Sequence, residues 1–173
     1  MSISRNDVRR GTVVIGLGNP IMGDDGIGIA ALERLRDTWD VPDDVELVDG
    51  GTWGLTLLPI IEDAGAVLLI DAIDTGSAPG TDAVILRDQL PKHLATKVSP
   101  HQVDLQDVLA LAELRGTLPD RTVAIGLQPA IVEMTSGLSD ALRARVDHLV
   151  LLVVGMLESW GHRCTAKPEP ARA

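Results

Sequence analysis

Neither phenylalanine nor tyrosine occurs in this 173-residue chain, and three tryptophans are its whole aromatic content. Leucine, valine, isoleucine and alanine must therefore fill the core. No aromatic platform is available on which nucleic-acid bases could stack. Cys164 is the sole cysteine, which excludes an internal disulfide and the cysteine-rich zinc patterns, and a reducing cytoplasm is the expected location. Positive charge is scarce: 15 Lys and Arg stand against 25 Asp and Glu, for a formal net charge of -10. Such a surface repels a polyanion at long range and offers no basic stripe, so no nucleic acid is expected as a partner. Long apolar runs are missing too. The longest, LVLLVVGML near the end, falls short of the roughly 20 residues that span a bilayer. The opening MSISRNDVRRGT has no apolar stretch after its charges, so neither export nor membrane insertion is expected.

What is present is a globular composition, 45% hydrophobic and 23% charged, at the usual size of one domain. Short apolar runs rich in β-branched residues predict strands at Val13 to Leu17, Val45 to Val48, Ala66 to Ile70, Ala83 to Leu86 and Thr122 to Leu127. Several lack polar alternation, as strands buried on both faces should. Helical spacing joins Ile27, Ala31, Leu32 and Leu35, then Leu55, Leu58 and Ile61, then Val108, Leu109 and Ala112 ahead of Gly116 as a C-cap. A last long helix is predicted from Ser139 as N-cap to about Trp160. The fold class that follows is α/β: a three-layer sandwich with a central five-stranded, mostly parallel sheet and helices on both faces. The fourth strand follows the third with no room for a helix between them, so it is expected to run antiparallel at an edge. Residues 1–164 read as a single domain and 165–173, from TAKPEPARA, as a disordered tail.

In an open α/β sheet ligands sit beyond the carboxyl ends of the strands. Asp24 and Asp25 follow strand 1 after one loop, Asp49 ends strand 2, and Asp71 ends strand 3 in LLIDAI. With strands in the common 2-1-3 order, Asp71 and the Asp24-Asp25 pair flank one crevice. The segment KVSPHQVDL adds His101 after a proline, with Asp104 placed to cap the next helix. Two carboxylates and one imidazole make an incomplete ligand set for a divalent transition metal, with positions left open for water or substrate. Each residue also has a plainer reading. Asp24 or Asp25 could cap the first helix, Asp71 could bind turn amides, and His101 could be a satisfied loop histidine. His93, His148 and His162 fall on exposed helix or loop positions and read as structural or solvated. Asp49 and Asp74 are possible supporting groups, and DGGTWG a substrate-facing loop with Trp53 either an anchor or a core plug.

The glycine loop does not make a dinucleotide site. Gly16 and Gly18 fit the G-x-G-x-x-G spacing, but Ile21 stands at the third position. A pyrophosphate there would also face Asp24 and Asp25 at short range. GLGNP resembles the start of peptidyl-tRNA hydrolases, yet the chain continues IMGDDGIG where that family has a histidine and an asparagine.

Taken in order, GLGNPIMGDDGIG, VDGGTWGLTLL, LLIDAIDTGSAPGT, SPHQVDLQDVL and GLQP resemble the hydrogenase maturation endopeptidases, over a stretch from about Val13 to Glu158. The resemblance implies an α/β fold and an enzyme that removes the C-terminal extension of the nickel-loaded large-subunit precursor of nickel-iron hydrogenases. It implies that an acidic residue in the first loop, an aspartate ending the third strand and a histidine in the SPHQ-like segment gather at the cleft, which correspond to Asp25, Asp71 and His101. By the same resemblance these three are the catalytic and metal-contacting residues. Nickel is expected to arrive with the substrate, with no tightly held metal of the chain's own, and either a carboxylate or the metal activates water. The alternatives are a non-catalytic nickel or assembly chaperone using the same groups and, as a minor reading, the peptidyl-tRNA hydrolase.

Overall fold

The computed structural model describes residues 10–52, 54–90 and 105–168. In chain order the elements are β1 (Arg10–Leu17), α1 (Ile27–Thr38), β2 (Trp39–Asp40), β3 (Val45–Gly51), α2 (Leu58–Asp63), β4 (Ala64–Ala72), β5 (Asp82–Leu86), α3 (Leu105–Leu114), β6 (Arg121–Leu127), α4 (Asp140–Arg143), α5 (Val146–Ser159) and β7 (Thr165–Ala166). Short 3-10 turns occupy Gly23–Gly26 and Gly54–Leu57. The main sheet has the order β3-β1-β4-β6-β5. Its strands are parallel except β5, which pairs antiparallel with β6 at the edge. Each predicted strand lies within one of these five, and the expected antiparallel edge strand is β5.

Burial explains the strand patterns. β4 sits in the middle of the sheet and is buried at every position from Ala66 to Ala72, because helices cover both of its faces. β5 alternates exposed and buried residues, as an edge strand with one covered face must. On one side of the sheet Val13, Leu69 and Ile85 pack with Ile61 of α2 and Val108 of α3. On the other, Val14, Leu68 and Ile125 pack with Leu32 of α1 and Val153 of α5. The three predicted layers therefore form. Gly116 has φ +65°, and Thr117 N and Leu118 N bond back to Ala112 O at 2.8 and 3.1 Å, so it closes α3 as the predicted C-cap.

The predicted long C-terminal helix is broken. Ser139 caps it, with Oγ accepting from Leu142 N at 3.4 Å, but the first segment ends at Arg143 and α5 starts at Val146. The interruption falls at Arg145, whose φ of -108° departs from helical geometry. Arg145 and His148 both reach Asp82 of β5, at 2.7 and 2.8 Å, so the second segment is tied to the sheet edge. Periodicity could not show this, because the apolar stripe continues across the break.

Thr165 and Ala166, placed by sequence in the tail, pair antiparallel with Asp40 and Trp39. Lys167 N donates to Thr38 O at 2.8 Å. Residues 169–173 lie outside the described residues. His162, read as exposed, is 12% exposed in its side chain, with Nε2 2.7 Å from Thr12 Oγ1 and Nδ1 3.4 Å from Asp44; the plain structural reading fits it. His93 lies outside the described residues. Among the described residues no helix is long and apolar enough to cross a membrane.

Candidate active site

The site is built at the carboxyl ends of β1 and β4, which are neighbours in register, Gly16 facing Ile70. The chain leaves β1 through Gly18, whose φ is +110°. A Cβ there would lie 1.7 Å from Asp25 O, so only glycine lets the loop fold back over the strand. The returning chain then enters α1, where Gly28 packs so closely that a Cβ would meet Ile70 O at 2.2 Å and Leu17 O at 2.4 Å. Those two glycines press the 3-10 turn carrying Asp24 and Asp25 down onto the ends of both strands.

In this turn a loop amide of the kind that would cradle a phosphate in a nucleotide-binding protein serves a carboxylate of the chain itself. Asn19 N donates to Asp25 Oδ2 at 2.8 Å, and Asn19 Oδ1 accepts from Ile21 N at 3.2 Å. Asp25 remains partly exposed. Asp71, at the end of β4, is 5% exposed, and its Oδ1 accepts from Ala72 N at 2.8 Å. Neighbouring odd positions of β4, Val67 and Leu69, and Ile73 beyond it belong to the α2 and α3 side of the core. Alternation therefore directs Asp71 to that side.

Asp24 has a different fate from its neighbour. Its exposure is 0%, and both oxygens are occupied. Oδ2 accepts from Ala130 N at 2.8 Å, Ile131 N at 3.0 Å and Ser139 Oγ at 2.9 Å, while Oδ1 accepts from Ser139 N at 2.7 Å. Burial pushes its pKa up, but the amides of Ser139, Ala130 and Ile131 and the Ser139 hydroxyl outweigh it and hold the carboxyl below its ordinary 3.8. Of the adjacent pair left open by the residue-level reading, Asp24 is thus a buried structural anion. Asp25 is the one with exposed surface.

The depressed pKa fixes the sign of a pH effect. The stabilisation from Asp24 is complete above 3.8, its unfolded value, and is lost as pH falls from there through the lower folded value. Urea unfolding between about pH 5 and about pH 3 should show this loss, and Asp24→Asn should lack that part of the slope. An identical slope in both proteins would remove Asp24 from the acid response.

The glutamine of GLQP has a role that its sequence context does not reveal. Gln128 is buried. Its Oε1 accepts from Thr75 N at 2.7 Å, Thr75 Oγ1 at 3.1 Å and Ser77 N at 3.3 Å, and its Nε2 donates to Asp74 Oδ1 at 3.0 Å. One side chain therefore clamps the Asp74 to Ser77 turn that follows Asp71. The Gln128 amide, together with Gly76 N–H, holds Asp74 below the ordinary carboxylate value. A polar residue set between the last apolar strand run and Pro129 is the only signal the sequence carried. Asp49 is exposed at the end of β3.

His101, Asp104 and Trp53 lie outside the described residues. Among the described residues no group of three or more His, Cys, Asp or Glu side chains could hold a metal ion. Of the candidate residues, Asp71 ends β4 and Asp25 stands in the Gly23–Gly26 turn that follows β1, with Asp24 and Gln128 bracing nearby loops.

Comparison with known proteins gives a consistent match. The family model described as HycI, hydrogenase maturation protease, matches residues 29–156. The hydrogenase expression/formation protein HupD of Rhodobacter capsulatus is 40% identical over 155 residues, covering 88% of this chain and 74% of that one. The hydrogenase 2 maturation protease of Escherichia coli is 32% identical over 150 residues, covering 86% and 92%. The solved structure of the hydrogenase maturating endopeptidase HybD from E. coli superposes with a TM-score of 0.85 at 30% identity, over 91% of this chain and 98% of that one.

Proposed function

The chain belongs to the hydrogenase maturation protease family, and from that premise we propose that it removes the C-terminal extension of the nickel-loaded large-subunit precursor of a nickel-iron hydrogenase, in the cytoplasm. It is a protease, and its reaction is hydrolysis of a peptide bond. The observation that supports the reading is that Asp71 ends β4, the neighbour of β1, and that the loop after β1 leads into the Gly23–Gly26 turn with Asp25, which is partly exposed while its neighbour Asp24 is fully engaged.

In this proposal Asp25, Asp71 and His101 contact the nickel that the precursor brings, so metal and scissile bond arrive together and the chain keeps no tight metal of its own. α3 begins at Leu105, four residues after His101, and packs on the side of the sheet toward which Asp71 points; that supports including His101. Contact with the cargo orients the bond to be cut, converting a bimolecular encounter into an effectively intramolecular one. One of the two carboxylates takes the proton of the attacking water and returns it to the departing amine. The water oxygen bonds to the carbonyl carbon as the C–N bond breaks.

The test is a mass measurement. Purified protein mixed with nickel-loaded precursor should shorten the precursor at its C-terminus, and precursor lacking nickel should stay intact. Unchanged mass with nickel moved onto this chain would favour a metal chaperone instead, and equal cleavage without nickel would sink the metal-reading role of the three residues.

A further inference from the structure

Asp24 and the backbone bonds around it hold in place a loop that buries almost nothing. Every residue from Ala130 to Gly137 is exposed. Yet the segment is pinned through the Asp24 carboxylate at Ala130, Ile131 and Ser139. It is also paired with the first loop: Asp24 N donates to Ile131 O at 2.9 Å, Gly23 N to Thr135 O at 3.3 Å and Thr135 N to Ile21 O at 3.1 Å. Aliphatic side chains are prominent among those displayed, beside Glu133, Thr135 and Ser136. Met134 is 81% exposed, Val132 and Ile131 flank it, and Ile21 is exposed on the paired strand of loop.

Single exposed aliphatics are ordinary, but four on two stapled segments form a patch. Their rigid support adds nothing to the core, since none of them is buried in it. A preformed apolar ridge does lower the ordering cost of association with another surface. The ridge adjoins the loop that carries Asp25. Ile21 and Asp25 share one loop, with Asp25 N bonded to Met22 O, and next to it runs a groove lined by Pro20, Ile29, Ala30, Gly137 and Leu138.

Resting on the reading of this chain as the precursor's protease, we propose that Ile21, Ile131, Val132 and Met134 form the surface on which the precursor protein docks, through an apolar patch of its own, before its C-terminal end enters the cleft. Apolar contact suits a chain of net charge -10, because it holds a partner without relying on an opposite charge. The pinned loop then sets the distance between the docked body and Asp25.

The experiment compares initial processing rates over a range of nickel-loaded precursor concentrations. The double variant Val132→Asp with Met134→Asp should raise KM at least tenfold. Met134→Ser, which removes apolar surface without adding charge, should move KM the same way by a smaller factor. Leu114→Asp, at an aliphatic residue 85% exposed at the end of α3, should process like the wild type. Wild-type KM in both ridge variants would overturn the docking surface while leaving the protease reading intact. A wild-type protein that fails to process at all would instead overturn that reading. Sedimentation supplies the remaining arm: a wild-type dimer made monomeric by the double variant, with KM unchanged, would give the ridge to self-association and end the proposal.

Discussion

Asp25→Asn is expected to slow removal of the precursor's C-terminal extension by at least about 100-fold, the low end of what a positioned acid-base group contributes. The fold should survive. The side chain is partly exposed, and an asparagine oxygen can still accept from Asn19 N, which now bonds Oδ2 at 2.8 Å. What the amide cannot do is carry a negative charge toward a cation or take a proton from water. Asp71→Asn should behave alike, its amide oxygen keeping the bond from Ala72 N. The check is a time course of precursor mass at fixed enzyme concentration, beside a urea titration of each variant. Processing at the wild-type rate by Asp25→Asn would take that carboxylate out of the chemistry.

One residue earlier, the same substitution should do the opposite. Asp24→Asn is expected to destabilise the fold by about 3 kcal/mol, because bonds to a charged acceptor are worth roughly 1.5 to 3 kcal/mol each and an unmet buried donor costs about 1 to 3 kcal/mol. Four donors converge on its two oxygens. An asparagine offers one oxygen to them and points an N–H group at the rest, so at least one backbone amide loses its partner. The midpoint of urea unfolding should fall with little change in slope. The loop from Ala130 to Ser139 should become more open to proteolysis, since it lies at the surface and this carboxylate supplies much of its anchoring beside the backbone bonds to the first loop. A midpoint equal to wild type would mean that water replaces those bonds without loss.

Much of the architecture was legible in advance. The run from Ala66 to Ile70 has no polar alternation, and β4 turned out central, covered on both faces. The absence of any helical stretch between Ile70 and Ala83 foretold the antiparallel β5. Where local pattern and tertiary contact part, the sequence reading failed: the apolar stripe after Ser139 runs unbroken through Arg145, yet the backbone there departs from the helix. The extension beginning at Thr165 looked polar and loose, but its backbone pairs with β2, a bond pattern that composition does not record.

The chain's own order of residues determined the α/β class, the strand ends at which carboxylates collect, and through its motifs the protease family. Periodicity and turn chemistry act over a few residues, so they can be read along a line. Which of two identical neighbours became the buried anion was decided only in three dimensions. The donors that capture Asp24 come from positions 106 to 115 residues away, and Gln128 reaches its turn across 53 positions. Hydrogen bonds of that span depend on how layers pack, and packing is a property of the folded chain alone.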